Sequence, residues 1–329
     1  MRSRPAVSAA TVWAVRTRAL SAAMLAALLT IAAGPATAQD VPPPAGAASP
    51  EIPVAILADD AARLRVDVEI NAVPLRFLVD TASTRSVVAK EVASRMSLPP
   101  GPMVTVKNIG GSDRVPSVTI PELRFAALSI HDVHAPALLR NNLGGDGLIG
   151  LDILRGQRLT INFKANSTIT IVPSDRHDHA DDAPIESGTI VVTARSKRGE
   201  LILTDAEIEG ERVAVIIDTG SEDSVGNEPL RRLVSRQIEH TPIQPITLLS
   251  VTGRTLPADY TQIGHVKIGG FEISNLPIAF ADASSFQQFG LARQPAILLG
   301  MSALRLFDIV TLDFTRKQVW FRLRPHPKL

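Results

Sequence analysis

From Leu64 to Ile70 the chain reads Leu-Arg-Val-Asp-Val-Glu-Ile, apolar and charged residues in strict alternation. A period of two sends successive side chains to opposite faces, so the stretch predicts a strand with one face buried and one face wet. The runs Leu75-Arg76-Phe77-Leu78-Val79 and Val213-Ala214-Val215-Ile216-Ile217 are almost continuously apolar. That suits strands covered on both faces. Turn residues, Asn71-Ala72 and Glu209-Gly210, stand before them. Only residues 85–96 and 226–239 carry spacing that predicts a helix. The pattern as a whole is that of an all-β protein with few short helices.

The pattern occurs twice. Asp80 ends one apolar run and Asp218 ends another, 218 − 80 = 138 positions apart. At that offset residues 69–83 lie over 207–221, and the match extends upstream, where 52–57 lie over 190–195. Leu148-Ile149-Gly150 and Leu298-Leu299-Gly300 form a second recurring landmark, and each is followed by two further strand-like runs. The organisation expected is two copies of one unit, residues 52–173 and 188–324, joined by a linker over 174–187.

Each copy carries the same short motif at the end of its apolar run: Asp80-Thr81-Ala82-Ser83 and Asp218-Thr219-Gly220-Ser221. A carboxylate at the end of a buried strand is costly unless it is paired or hydrogen-bonded. If the copies pack about a pseudo-twofold axis, both carboxylates meet at that axis. Two carboxylates in near contact do not both ionise easily, so they share a proton. Such a pair activates water: one member is the general base and the other, protonated, donates to an amide carbonyl. The small residue after Asp-Thr lets a backbone N–H approach the carboxylate. Thr81 and Thr219 need partners once buried, which the opposite loop is placed to supply. Ser83 and Ser221 are expected to hydrogen-bond the outer carboxylate oxygens.

With these residues in view, the sequence resembles the retropepsin-like aspartic proteases, specifically exported bacterial members with two lobes in one chain, over most of 52–324. The resemblance implies two β-barrel lobes related by pseudo-twofold symmetry. It implies catalytic Asp80 and Asp218, supported by Thr81, Ala82, Ser83, Thr219, Gly220 and Ser221. It implies that Leu148, Ile149, Gly150, Leu298, Leu299 and Gly300 brace the catalytic loops. It also implies two flap hairpins over the substrate, within 106–117 and 248–259, with Ile109, Gly110, Gly111, Val251, Thr252 and Gly253 at their tips. The substrate implied is a peptide or protein; no cofactor and no metal is implied. Unlike viral relatives, which need two chains, this chain is expected to act as a monomer. Ala82 departs from the family's glycine. It keeps open a second reading, a peptide-binding module that retains the fold without catalysis. A third reading, a structural protein built on a duplicated β domain, predicts no coupled carboxylates.

Composition adds the setting. The formal net charge is +1, and Arg2, Arg4, Arg16 and Arg18 precede the first acid, so without residues 1–38 it becomes 1 − 4 = −3. No basic footprint for nucleic acid remains. Those arginines, the apolar run 19–34 and the small residues Ala36-Thr37-Ala38 read as a signal for export, cut near Ala38, to the periplasm or beyond. The alternative is an uncleaved anchor, for which the run is short; no later segment is apolar enough to span a membrane. There is no cysteine, hence no disulfide. Residues 39–51 read as a flexible tether and 325–329 as a tail. His177, Asp178, His179, Asp181 and Asp182 in the linker are metal-ligand types but read as a solvated connector. His131 and His134 read as surface loop residues, Asp308 and Asp313 as surface residues, and Asp152 as the cap of a short helix.

Overall fold

A computed structural model of the protein describes residues 53–55, 63–164, 168–175, 188–197 and 199–324. The signal, the tether, the tail and all but Ser174 and Asp175 of the linker lie outside the described residues.

The first lobe is a closed six-stranded barrel. Strand Arg65–Ile70 pairs with Val73–Val79, which runs parallel to Gly147–Ile149; the ring continues through Val87–Ala89, Leu128–Leu138 and Ser117–Phe125 and returns to Arg65–Ile70. Along Arg65–Ile70 the apolar residues are buried and Asp67 and Glu69 exposed, as the alternation predicts. The turn after it holds Asn71 (φ 49°) and Ala72 (φ 63°) in the left-handed region. Two consecutive positive φ values give the turn whose twist matches its flanking strands.

The second lobe follows the same circuit with two of its strands broken. Glu200–Leu203 and Ala206–Ile208 together take the place of Arg65–Ile70. Glu211–Arg212 and Ala214–Ile217 take the place of Val73–Val79. Ala214–Ile217 lies parallel to Ala296–Leu299; Ser224–Gly226, Phe271–Phe280 and Thr255–Ile268 carry the circuit back to Ala206–Ile208. This lobe opens into a larger sheet because Thr189–Lys197 is continuous: residues 189–193 pair with Gln318–Leu323 and 194–197 with Glu200–Leu203.

That larger sheet joins the lobes. Its order is Pro53–Ala55, Thr168–Pro173, Gln157–Asn162, Phe307–Asp313, Gln318–Leu323 and the first part of Thr189–Lys197. The central seam pairs Arg158–Asn162 of one lobe with Ile309–Asp313 of the other. Backbone hydrogen bonds therefore hold the two halves at a fixed angle, and the apolar face closes a shared core. Phe271, Phe307 and Phe321 stack there with ring centroids 4.9–5.0 Å apart. In a chain with only 4% aromatics, the remaining core is aliphatic.

Four expectations change. The stretches 85–96 and 226–239 are not single helices. Val87–Ala89 and Ser224–Gly226 are buried strands that complete the barrels, and the helices begin only at Lys90 and Glu228. The second is started by Asn227, whose side chain accepts from the Leu230 amide, and breaks at Leu233 before a further turn over Ser235–Ile238. His131 and His134 lie on a strand, on its exposed face. Asp313 is fully buried, not at the surface. It accepts from the Ser174 hydroxyl (2.8 Å) and from the Thr315 and Arg316 amides (3.0 and 2.7 Å), tying the turn between the last two strands to the end of the first lobe.

Candidate active site

The two Asp-Thr motifs leave their strands at matching places. The Asp80 amide donates to Ile149 O (2.9 Å) and the Asp218 amide to Leu299 O (3.0 Å). Leu148-Ile149 and Leu298-Leu299 lie beside the strands that deliver the aspartates. The glycines that follow are required by space. A Cβ on Gly150 would lie 2.5 Å from the Arg85 carbonyl carbon, and one on Gly300 would lie 2.4 Å from Asp223 O. The Gly150 amide donates to Ser86 Oγ and the Gly300 amide to Ser224 Oγ, while the Leu151 and Met301 amides donate to Ser83 O and Ser221 O. Each Asp loop is thus held from behind by backbone.

Between the lobes the loops exchange hydrogen bonds in a symmetric cross. Thr81 Oγ1 donates to Ile217 O and Thr219 Oγ1 to Val79 O, both at 2.8 Å. The Thr81 amide donates to Thr219 Oγ1 (3.1 Å) and the Thr219 amide to Thr81 Oγ1 (3.2 Å). Each threonine is buried, so each of these bonds also satisfies a group that would otherwise be orphaned. The residues next to them, Asp80 and Asp218, are both 0% exposed and near enough that the charge of Asp218 acts on Asp80.

Asp80 Oδ1 accepts from the Ala82 amide and Asp218 Oδ1 from the Gly220 amide, at 3.0 Å in both loops. The extra methyl of Ala82 has not displaced its loop. It is buried in an apolar cluster with Ile109. The Oδ2 atoms of both aspartates are buried with no protein donor. Burial, then the Asp218 charge, push the Asp80 carboxyl well above the usual range, against the pull of the Ala82 and Ser83 amides and of Arg63. Burial likewise raises Asp218 to about 7. Both shifts favour keeping a proton on the pair, which lowers the repulsion between the two carboxyls.

The hydroxyls of Ser83 and Ser221 do not reach the outer carboxylate oxygens. They donate to Arg85 O (2.8 Å) and Asp223 O (2.7 Å), closing the loops locally. It is their amides that favour the charged aspartates. Asp152 is not a helix cap either. It lies inside the helix Leu151–Leu154, which starts from Gly150, and its carboxylate accepts the amide and hydroxyl of Ser86 (2.8 and 2.7 Å). This carboxylate supports the first loop from below and has no counterpart in the second lobe, where Ser302 follows Met301. Sequence reasoning missed its role because Ser86 is 66 residues away.

Two hairpins reach across between the lobes. The first pairs Val104–Asn108 with Gly111–Val115 and turns at Ile109-Gly110. The second pairs Gln244–Leu249 with the start of Thr255–Ile268 and turns through Val251, Thr252 and Gly253. Ile109 and Val251 are buried; Gly110, Gly111 and Thr252 are half-buried and Gly253 exposed. Each tip crosses to the other lobe. The Ser284 amide donates to Ile109 O (3.0 Å) and its hydroxyl to Asn108 O. Gly253 faces Asn142 so closely that a Cβ would lie 2.8 Å from its Nδ2. Tyr260, beyond the second tip, places its hydroxyl 3.5 Å from Asp223 Oδ1, and burial and that acid push it up to about 12.

Two lobes of this topology, each ending a buried strand in an Asp-Thr loop that interlocks with its counterpart, form a protease-type fold. The comparisons agree. Residues 66–156 match the "gag-polyprotein putative aspartyl protease" family, and residues 204–303 match the "aspartyl protease" family. No curated protein matches the chain. The chain carries two aspartyl protease domains in tandem, consistent with a retropepsin-like aspartic protease of two lobes.

The raised carboxyls predict a pH-dependent stability. A carboxyl raised from 3.8 to about 7 by folding binds its proton more tightly in the fold than in the unfolded chain. Its contribution is fully present below pH 3.8 and is lost as pH rises through 7. Asp218→Asn removes that dependence. Thermal unfolding of parent and variant at pH 4 and pH 7.5 should show the variant gaining on the parent at the higher pH. An unchanged difference would mean the dyad does not hold its proton.

Proposed function

We propose that the protein is an aspartic endopeptidase in which Asp80 and Asp218 activate one water against a peptide bond. The observation that carries this is the pair of buried carboxylates, each with Oδ1 held by a backbone amide and Oδ2 free of protein donors. In the singly protonated pair the ionised carboxylate takes a proton from water as its oxygen bonds to the carbonyl carbon. The other carboxyl donates to the carbonyl oxygen, giving a neutral gem-diol. Collapse returns a proton to the pair and delivers one to the leaving nitrogen as the C–N bond breaks. The pair ends singly protonated, and no covalent intermediate forms. The hairpins at 108–111 and 250–253 close over the substrate, which lies as an extended strand held by backbone hydrogen bonds. Both lobes come from one chain, so the working unit is a monomer.

The test is cleavage of a randomised peptide library by residues 39–329 from pH 3 to pH 8. Cut peptides that disappear with either aspartate variant support the reading. A folded protein that binds extended peptides and cuts none turns it to the peptide-binding module. Ala82 is the residue that would favour that outcome, and its undisplaced loop speaks against it. Export to the periplasm or beyond rests on the pattern of residues 1–38, and the N-terminal sequence of the protein recovered from cell fractions tests it.

A further inference from the structure

In this structure the way to the dyad is shut. Asp80 and Asp218 are 0% exposed, so no peptide reaches them while the hairpins stay where they are. The tip of the first hairpin is the plug. Ile109 is buried in a cluster whose other members, apart from Ala82, all belong to the second lobe, among them Leu248, Ala283 and Phe286. An isoleucine carried there by the hairpin occupies space beside the loop that bears Asp80. Its backbone is fastened as well, through Ser284 to Ile109 O and Asn108 O.

The hairpins are also clasped to each other by polar groups that no other feature of the site requires. Arg254, just past the second tip, straddles Asp113 of the first: Nε lies 2.8 and 2.9 Å from the carboxylate oxygens, and Nη2 2.7 Å from Oδ1. Thr252 Oγ1 donates to Asp113 Oδ2 (2.7 Å) and accepts from Asn108 Nδ2 (2.9 Å). Asn108 is fully buried, and the Asp113 side chain is 22% exposed. A charge-assisted, two-toothed contact of this kind fixes geometry and is stronger than a neutral hydrogen bond. Both partners sit on tips that have to separate before anything enters.

We propose that the hairpins form a self-latched gate: Ile109 holds the place of a substrate side chain in the second lobe's apolar subsite, and the Asp113–Arg254–Thr252–Asn108 clasp keeps it there, so the resting protein is autoinhibited. The gate rests on the peptidase reading for its purpose, but not for its existence. Substrate enters when the clasp opens, and a peptide bearing a branched aliphatic residue replaces Ile109. Activity then scales with the open fraction, and weakening the clasp raises it.

Arg254→Ala and Asp113→Ala should each raise kcat/KM for an aliphatic peptide substrate roughly fivefold, the size expected for losing one partly exposed charged contact. The exchange with Arg at 113 and Asp at 254 should return it toward the parent value. Hydrogen exchange at the Ser284 amide reads the docking of Ile109 directly, and it should quicken in the two alanine variants. The opposite lock is also available. A Cβ at position 110 would lie 2.9 Å from Arg254 Cβ, closer than the roughly 3.5–4.5 Å that a disulfide spans, so the two tips must part by several tenths of an ångström to take one, and the chain has no other cysteine. Gly110→Cys with Arg254→Cys should lose cleavage when oxidised and regain it when reduced, the same variant serving as its own reference. Cleavage that is measurable and equal in both redox states, or Ser284 exchange unmoved by the alanine variants, overturns the gate. Quickened exchange with no cleavage by any form upholds the gate and removes the peptidase reading instead.

Discussion

Asp80→Asn and Asp218→Asn should each abolish peptide cleavage, by about 10⁴-fold or more, and leave a folded protein. The size follows from the chemistry: an amide neither takes a proton from water nor passes one on, and general acid–base action together with activation of the nucleophile is lost in one step. The fold should survive because asparagine is nearly isosteric. Its Oδ1 still accepts from the Ala82 or Gly220 amide, and its Nδ2 gives the neighbouring Oδ2 a donor it lacks in the parent. Symmetry makes the test sharp. Because one carboxylate comes from each lobe, either substitution alone should be as damaging as both together. A variant at position 80 that keeps a tenth of the parent rate would mean that the first lobe has passed to a structural role.

Gly300→Ala should cost about 2–3 kcal/mol and reduce cleavage by about 100-fold. A Cβ at this position would stand 2.4 Å from Asp223 O and 2.8 Å from Glu222 O, both of them backbone atoms of the segment that follows the Asp218 loop. No rotamer relieves a clash with backbone, so either the brace or the loop moves. Overpacking of this kind typically costs 1–3 kcal/mol, and a displacement of about 1 Å at a reacting group is enough for a 100-fold loss. The melting temperature should fall by about 3–6 °C, because the entropy of unfolding grows with chain length and leaves about 2 °C per kcal/mol for a chain of this size. Ser302→Ala on the same helix should cost little by comparison, because the half-buried Ser302 hydroxyl has no hydrogen-bond partner among the described residues to lose. A Gly300→Ala protein with parent stability and rate would show that the motif does not brace the loop.

Much of this site could be read along the chain, because strand periodicity, the apolar runs ending in aspartate and the 138-residue offset are local in sequence or repeat within it. Leu148-Ile149-Gly150 and Leu298-Leu299-Gly300 were legible because each is an aliphatic pair followed by glycine, placed after its aspartate and ahead of two further strand-like runs. What could not be read depends on groups that are distant in sequence. The Ser83 and Ser221 hydroxyls turn to carbonyls two residues ahead because the loop curls back on itself. Asp152 finds Ser86, and Asp313 finds Ser174, only when strands 66 and 139 residues apart are brought side by side. The helix expected over 85–96 begins only at Lys90 because barrel closure rewards Val87–Ala89 with ladder bonds that local spacing does not reveal, and the one over 226–239 is broken into two short helices at Val234.

The sequence by itself determined the class of fold, the pairing of one aspartate with another, and the residues around each, since these follow from period, burial and repetition. Tertiary structure alone decided that the two threonines interlock, that both carboxylates are sealed from solvent, and that Asp113 of one hairpin meets Arg254 of the other. The reason is physical: a contact between two loops 141 positions apart depends on the angle at which the lobes are held, and that angle is set by the shared sheet between them rather than by any stretch of residues in either loop.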